Sequence, residues 1–134
     1  MTQANQMNVL LVDDEMDYLN TLIKRMRKRK IIAHAVSSGK EALAFLSQNS
    51  VDCIVLDVKM PEMDGAQVLK EIKKLYPSIE VLMLTGHADM DVAMEVMEYG
   101  AFDYLMKPID FEELLYKLQD AYEKKTIDRE RNSL

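Results

Sequence analysis

The sequence predicts an α/β fold in which helices cover both faces of a parallel β-sheet. Short apolar runs, rich in Leu and β-branched residues, alternate with segments whose apolar residues recur at helical spacing. The runs show no alternation of polar and apolar residues, which is typical of strands buried on both faces. Strand and helix follow one another five times along the chain. This order is typical of a parallel sheet whose crossover connections are helices.

Five apolar runs are the predicted strands. Polar residues directly follow four of these runs and are the candidates for a functional site. In chain order the predicted strands are Val9–Val12, Ile31–Val36, Cys53–Leu56, Val81–Leu84 and Tyr104–Met106.

The first two helices are predicted from apolar spacing and from one capping signal. Between Tyr18 and Met26 the apolar residues recur at i, i+3 and i+4, which is the stripe of an amphipathic helix. Ser38 followed by Glu41 forms a capping box, so a second helix is expected to begin there.

Start and stop signals delimit the third and fourth helices. Asp64 and Gly65 open the third, and Pro77 ends it. Asp89 can cap the fourth, and Gly100 stands where a helix commonly ends in a left-handed residue.

The fifth helix is predicted to begin at Asp110 with Glu113 and to carry an apolar stripe as far as Ala121. From Glu123 to Leu134 the chain is charged and has almost no apolar residues. This tail is expected to be either a frayed continuation of the helix or the beginning of a linker.

Composition excludes several classes of protein. A chain of 134 residues with 49% hydrophobic and 30% charged residues is typical of one globular domain. The net charge of -6 disfavours direct contact with nucleic acid. The single cysteine, Cys53, allows no internal disulfide, and no apolar run is long enough for a membrane helix. The first residues do not resemble a secretory signal, so a cytoplasmic protein is expected.

Charged and hydroxyl side chains follow four of the predicted strands. Asp13 and Asp14 come after the first strand, Asp57 after the third, Thr85 after the fourth and Lys107 after the fifth. The carboxyl ends of parallel strands meet at one edge of the sheet, where ligands of such folds bind. These five side chains are therefore expected to converge on one patch.

Three clustered carboxylates repel one another and need a countercharge. Their oxygen atoms favour a hard divalent cation, most simply Mg²⁺, which takes few protein ligands. Lys107 supplies a further positive charge, so a phosphoryl group could be accepted at one carboxylate. Asp57 is the expected nucleophile, since the metal would lie on one side and Thr85 and Lys107 on the other. The predicted reaction is phosphoryl transfer to a carboxylate.

The chain resembles the receiver domain of two-component response regulators from about Asn8 to Tyr122. Each of the motifs that carry the resemblance follows a predicted strand, and the set occurs in the expected order. They are Val12–Glu15, Leu56–Gly65, Leu84–His87 and Tyr104–Pro108. The resemblance implies a doubly wound, flavodoxin-like sheet in the order 2-1-3-4-5 with five helices. Residues 1–122 would then be the receiver domain and residues 123–134 the charged tail or start of a linker.

The resemblance also implies the chemistry. Asp57 would take a phosphoryl group from a sensor histidine kinase or a phosphotransfer protein, with Mg²⁺ as cofactor. Asp14 and Asp57 would bind the metal through their side chains, Lys59 through its backbone carbonyl, and Asp13 mainly through water. Lys107 would contact the phosphoryl oxygens. Pro108 would follow a cis peptide bond, a conformation that proline favours.

A conformational switch follows from the same resemblance. Thr85 would turn toward the phosphoryl group, and Tyr104 would move inward into the vacated space. The face formed by the fourth helix, fifth strand and fifth helix would then bind a partner or a second copy of the chain. Lys59 and His87, at the mouth of the site, are expected to tune the lifetime of the phosphorylated state.

The stretch from Leu84 to Pro108 is most similar to receivers of enhancer-binding transcriptional activators, which suggests transcription regulation. No membrane contact is implied.

Three other functions fit the sequence less well than a phosphoryl-accepting receiver. A phosphatase with an aspartate nucleophile needs Asp-x-Asp, whereas Asp57 is followed two residues later by Lys59. A nucleotide- or flavin-binding module needs a glycine-rich phosphate loop, which the four glycines do not form. A receiver that acts only as a scaffold would lack some of the required side chains, and all are present. The basic run from Lys24 to Lys30 is better explained as a helix C-terminus than as a nucleic-acid surface.

Overall fold

The structure, a computed structural model, describes residues 6–59, 64–86 and 90–132. All five predicted strands are present, and the boundaries shift by one or two residues at most. Asp57 and Thr85 are the last residues of their strands. The strands are β1 (Asn8–Val12), β2 (Ile32–Val36), β3 (Cys53–Asp57), β4 (Glu80–Thr85) and β5 (Asp103–Met106).

The strands form one parallel sheet in the order β2-β1-β3-β4-β5. The predicted fold class and strand order are therefore confirmed. Strand order reverses between β1 and β3, and parallel sheets of this kind bind ligands beside the carboxyl ends at that point. The site described below lies at this edge.

Five helices connect or follow the strands, as predicted. Their bounds are α1 (Met16–Lys28), α2 (Gly39–Gln48), α3 (Gly65–Leu75), α4 (Met90–Glu98) and α5 (Phe111–Asn132). Helices α1 and α5 cover one face of the sheet, and α2, α3 and α4 cover the other, because each set contributes to a separate buried apolar cluster. No helix in the described part of the chain is both long and apolar enough to span a membrane.

Local hydrogen bonds explain two of the predicted helix starts. The Ser38 hydroxyl accepts the N–H of Glu41 at 3.1 Å. The Glu41 carboxylate, however, accepts the N–H of Ser37 at 2.8 Å, so the reciprocal half of the capping box is displaced by one residue. At α3, the Asp64 carboxylate accepts the N–H of Ala66 at 3.1 Å. These contacts satisfy N–H groups that have no partner within the helix.

The end of α4 matches its sequence signal, whereas α5 extends beyond its apolar stripe. Gly100 has a φ of 103°, the left-handed conformation expected just after α4. Helix α5 does not end near Tyr122 but continues to Asn132. Lys125 in this extension is 8% exposed although the local sequence is strongly charged. Asp89, the predicted cap of α4, lies outside the described residues.

Candidate functional site

The polar side chains that follow the strands meet at the carboxyl edge of the sheet. Asp13 follows β1 directly, Asp57 ends β3, and Lys107 follows β5 directly. Strands β1 and β3 are neighbours in register, with Val12 beside Leu56. This pairing places Asp13 close to Asp57 although 43 residues lie between them in the sequence.

Three carboxylates form a compact cluster. Asp13, Asp14 and Asp57 each offer a carboxylate oxygen, and these oxygens all lie within 4.8 Å of one another. Asp13 and Asp57 are buried, whereas Asp14 is exposed. The cluster therefore has two anchored carboxylates and one that faces solvent.

Lys107 supplies a positive charge to this cluster. Its Nζ atom lies 2.8 Å from Asp13 Oδ2, 3.3 Å from Glu15 Oε1 and 3.6 Å from Asp57 Oδ2. Burial disfavours the charged form of Lys107, but the three carboxylates outweigh it and raise its pKa above the usual value. Lys107 is therefore a permanent cation at neutral pH.

Asp57 is held in an environment that disfavours its charge. Burial raises the pKa of Asp57, and the neighbouring Asp13 raises it further, while Lys107 and the N–H of Lys59 oppose the rise. The Lys59 N–H donates to Asp57 Oδ1 at 3.3 Å. A further cation would stabilise the ionised carboxylate that phosphoryl acceptance requires.

The backbone around Asp57 is tightly fixed. The N–H of Val58 donates to the carbonyl of Leu84 at 2.8 Å, and the N–H of Gly65 donates to the carbonyl of Val58 at 2.8 Å. A Cβ at position 65 would stand 2.3 Å from the backbone oxygen of Asp57. Only glycine can bring the start of α3 this close to the acceptor residue.

The two predicted switch residues lie on neighbouring strands. Thr85 is half-buried at the end of β4, and its carbonyl accepts the N–H of Lys107 at 2.8 Å. Tyr104 is half-buried in β5 and packs against the apolar cluster on the α2, α3 and α4 face. The Lys107–Pro108 peptide bond is cis. His87 lies outside the described residues, and the side chain of Lys59 is exposed.

Sequence reasoning missed two residues at the site, Glu15 and Tyr18. Glu15 continues the acidic run after β1, and this continuity was an available signal. Tyr18 was assigned only to the apolar stripe of the first helix, but its ring centre lies 5.6 Å from Lys107 Nζ. Its closeness to Asp14 in the sequence was the only indication, and it becomes meaningful once the direction of α1 is known.

The donor set fits a hard divalent cation. Every group in the cluster binds through oxygen, and two of the carboxylates are buried. Mg²⁺ takes one or two carboxylates and keeps several waters, which the exposed side of Asp14 allows. Within the described residues, which do not include His87, the cluster contains neither thiolate nor imidazole, so this donor set favours magnesium over zinc.

Curated relatives of the chain are bacterial transcriptional regulators. It is 37% identical over 118 residues to the transcriptional regulatory protein ZraR of Klebsiella oxytoca, covering 88% of this chain and 27% of the relative. It is 35% identical over 114 residues to the DNA-binding transcriptional regulator NtrC of Proteus hauseri, covering 85% of this chain and 24% of the relative. The chain thus spans about a quarter of the length of these relatives.

Solved structures and a family comparison agree with this similarity. The CheY-like receiver domain protein of Methanospirillum hungatei superposes with a TM-score of 0.88 at 24% identity, over 92% of this chain and 98% of that protein. That likeness establishes the fold. Residues 9–119 match the response regulator receiver domain family. Since this match covers most of the chain and includes the clustered acids and Lys107, the chain belongs to the receiver domain family of two-component response regulators.

Proposed function

We propose that the chain accepts a phosphoryl group on Asp57 in a reaction that depends on Mg²⁺. One observation carries this proposal. A buried carboxylate lies within 4.8 Å of two further carboxylate oxygens and 3.6 Å from a lysine ammonium, at the edge where the sheet binds ligands. Such an arrangement can hold a cation and a phosphoryl group together.

The transfer itself is a displacement at phosphorus. An oxygen of Asp57 forms the new bond to phosphorus, and the bond to the donor breaks, so the donor leaves with its bonding electrons. The donor is a phosphohistidine of a sensor kinase or phosphotransfer protein, or a small acyl phosphate. Lys107, whose ammonium already lies between Asp13 and Asp57, binds an oxygen of the transferred group. The protein contributes positioning and charge stabilisation.

Asp14 and Asp57 would hold the metal through their side chains, with Lys59 binding through its carbonyl and Asp13 through water. A bound Mg²⁺ supplies positive charge that offsets both the clustered carboxylates and the phosphoryl oxygens. The chain is a phosphoacceptor that also loses the group by hydrolysis, and it does not turn over a free substrate. Lys59 and His87 tune how long the phosphorylated state lasts.

The surface that changes on phosphorylation is formed by α4, β5 and α5. In the proposed switch, Thr85 turns toward the phosphoryl group and Tyr104 moves inward. Several large apolar side chains are exposed on these three elements, which supports a role in binding a partner or a second copy of the chain. They are Met94, Met97, Met106 and Tyr116.

The relatives suggest what the switch controls. ZraR and NtrC are transcriptional regulators much longer than this chain. We propose that residues 1–122 act as the cytoplasmic receiver unit of such a system. Residues 123–134 would lead toward an output domain that regulates transcription.

Intact mass measurement after incubation with acetyl phosphate tests the proposal. With Mg²⁺ the chain should retain one phosphoryl group, and either chelation of the metal or Asp57→Asn should prevent labelling. Continuous release of phosphate in excess of the protein would instead indicate a phosphatase. A folded chain that binds Mg²⁺ and neither gains mass nor releases phosphate would be a scaffold. Either of these last two results would refute the proposal.

A further inference from the structure

The Tyr18 ring lies beside the ammonium of Lys107, with Nζ 5.6 Å from the ring centre. Tyr18 is half-buried on α1 and packs against the apolar cluster between the sheet and helices α1 and α5. Its position is therefore fixed by the core, whereas Lys107 has a long, flexible side chain. An ammonium at this distance from an aromatic face is attracted by the ring quadrupole.

The ring differs in kind from the other groups around Lys107. Asp13, Glu15 and Asp57 bind the ammonium through negative charges, at 2.8, 3.3 and 3.6 Å respectively. Each of these charges also repels an incoming phosphoryl group. The Tyr18 ring attracts a cation without carrying a net charge. It can therefore hold the ammonium near Asp57 without adding to that repulsion.

The contact with Lys107 is made by the ring of Tyr18, and among the described residues the hydroxyl adds no hydrogen bond to it. The hydroxyl is buried and, within residues 6–59, 64–86 and 90–132, makes no hydrogen bond of ordinary geometry. Burial raises the pKa of Tyr18, and the positive charge of Lys107 and then the backbone of Ile109 oppose that rise. Phenylalanine should therefore preserve the interaction with Lys107 without leaving a bond unmade.

We propose that Tyr18 is a positioning residue for phosphoryl transfer, and that its ring holds the ammonium of Lys107 between Asp13 and Asp57. This inference rests on the proposed function of Asp57. It adds a residue on α1 to the machinery that orients the lysine. Loss of the ring would let the ammonium follow the exposed Glu15 and leave Asp57 less often paired.

Three variants test the proposal by the initial rate of labelling with acetyl phosphate and Mg²⁺. Tyr18→Leu should slow labelling about three- to tenfold, and Tyr18→Phe should restore most of the rate. Tyr122→Leu is the matched control, because Tyr122 is also half-buried and packs against the same apolar cluster. It should label at the wild-type rate.

A spectroscopic measurement separates positioning from stability. In ¹³C-labelled protein, the ε-methylene protons of Lys107 should show a ring-current shift in the wild type and in Tyr18→Phe. Tyr18→Leu should lose that shift while remaining folded. A lost shift together with slowed labelling supports the proposal.

Several results would overturn it. These are labelling of Tyr18→Leu at the wild-type rate, equal slowing in Tyr122→Leu, failure of phenylalanine to restore the rate, or an unchanged Lys107 shift in Tyr18→Leu. All four assume a wild-type chain that is labelled, so they leave the proposed function intact. A wild type that gains no phosphoryl group would instead refute the proposed function and this inference with it.

Discussion

At the scale of single residues, the clustered charges of the site lower the stability of the metal-free fold. Asp57 is 6% exposed and has Asp13 and Asp14 as neighbours, so its charged form is disfavoured. Its pKa is raised in the folded chain, chiefly by burial and then by Asp13. A raised carboxyl pKa means that folding favours the protonated form, and stability falls as pH rises from the unfolded pKa through the folded one. At neutral pH the ionised Asp57 therefore destabilises the metal-free fold.

We predict that Asp57→Asn raises the free energy of unfolding by about 1–2 kcal/mol in the presence of a chelator. Asparagine retains an oxygen that can accept the Lys59 N–H but removes the disfavoured charge. Mg²⁺ should reduce or reverse the difference, because it binds the carboxylate and not the amide. Urea unfolding at neutral pH, with chelator and with Mg²⁺, measures both effects.

The control for this measurement is Asp17→Asn. Asp17 is exposed in the first turn of α1, where a negative charge is favourable. Its removal should leave stability unchanged or slightly lower it, and Mg²⁺ should stabilise this variant as it does the wild type. A metal-free Asp57→Asn less stable than the wild type would contradict the account.

At the scale of elements, the connection between β3 and α3 positions the acceptor. Helix α3 begins at Gly65, where the Asp64 cap and the absence of a side chain let its first turn pack against the end of β3. A Cβ there would meet backbone atoms of Asp57 and Val58, which cannot rotate away as a side chain could. The start of α3 must therefore move away from the end of β3 if any other residue replaces Gly65.

We expect Gly65→Ala to lower the free energy of unfolding by about 3 kcal/mol, because it overpacks a contact between two backbones. This displacement next to Asp57 should also slow phosphoryl labelling of that residue. Gly86→Ala is the matched control for stability, since a Cβ at position 86 meets no atom of the described residues within 4 Å. Thermal unfolding of both variants is the measurement, and equal midpoints would show that the close approach at residue 65 is unimportant.

The last helix is an element that local patterns do not predict fully. Its extension is held at the opposite, amino edge of the sheet by ion pairs. Lys125 Nζ lies 3.2 Å from Asp52 Oδ1, and Lys124 Nζ lies 2.9 Å from Glu80 Oε2. Glu80 is 4% exposed, so this charge depends on its partner.

Lys125→Ala should destabilise the chain by about 1–3 kcal/mol and speed amide exchange in residues 123–132. The effect follows because, among the described residues, the Asp52 carboxylate would keep only the N–H of Asn8 as a partner, at 2.9 Å. Lys40→Ala is the control, since Lys40 is exposed and has no ion pair within the described residues. If both variants unfold at the same urea concentration and exchange equally, the extension is not anchored by Lys125.

Elements set by local signals were predictable, and those set by distant contacts were not. Apolar runs indicated every strand, including the partly exposed edge strands β2 and β5. The side chains of Ser38 and Asp64 cap the helices they were predicted to begin. The extension of α5 is held by partners 44 and 73 residues away, so its charged sequence alone left both a continued helix and a linker open. Tyr18 was placed on the correct helix, but its contact with Lys107 depends on where the start of α1 lies relative to the residue that follows β5.

At the scale of the whole molecule, charge is divided between distinct regions. The segment from Lys24 to Lys30 carries six positive charges in a chain of net charge -6. Two exposed arginines of this segment contact α5, because Arg25 lies 4.0 Å from the Phe111 ring centre and Arg29 pairs with Glu112 at 2.6 Å. These contacts favour a structural role for the segment. The absence of direct nucleic-acid contact stays a prediction.

The two edges of the sheet differ in their balance of acidic and basic side chains. The amino edge pairs Asp52 with Lys125 and Glu80 with Lys124. The carboxyl edge instead gathers four acids with one lysine, Lys107; these acids are Asp13, Asp14, Glu15 and Asp57. An excess of negative charge is stable there only if a cation is bound or a proton is taken up. The electrostatic imbalance is thus confined to the edge where we propose phosphoryl transfer.

The most direct test of the central claim is to locate the phosphoryl group within the chain. The protein is labelled with acetyl phosphate and Mg²⁺, reduced with borohydride, which converts an aspartyl phosphate to homoserine, and digested for mass spectrometry. We predict conversion at residue 57 and at no other acidic residue. Conversion at a different residue, or none in a folded chain that binds Mg²⁺, would contradict the account.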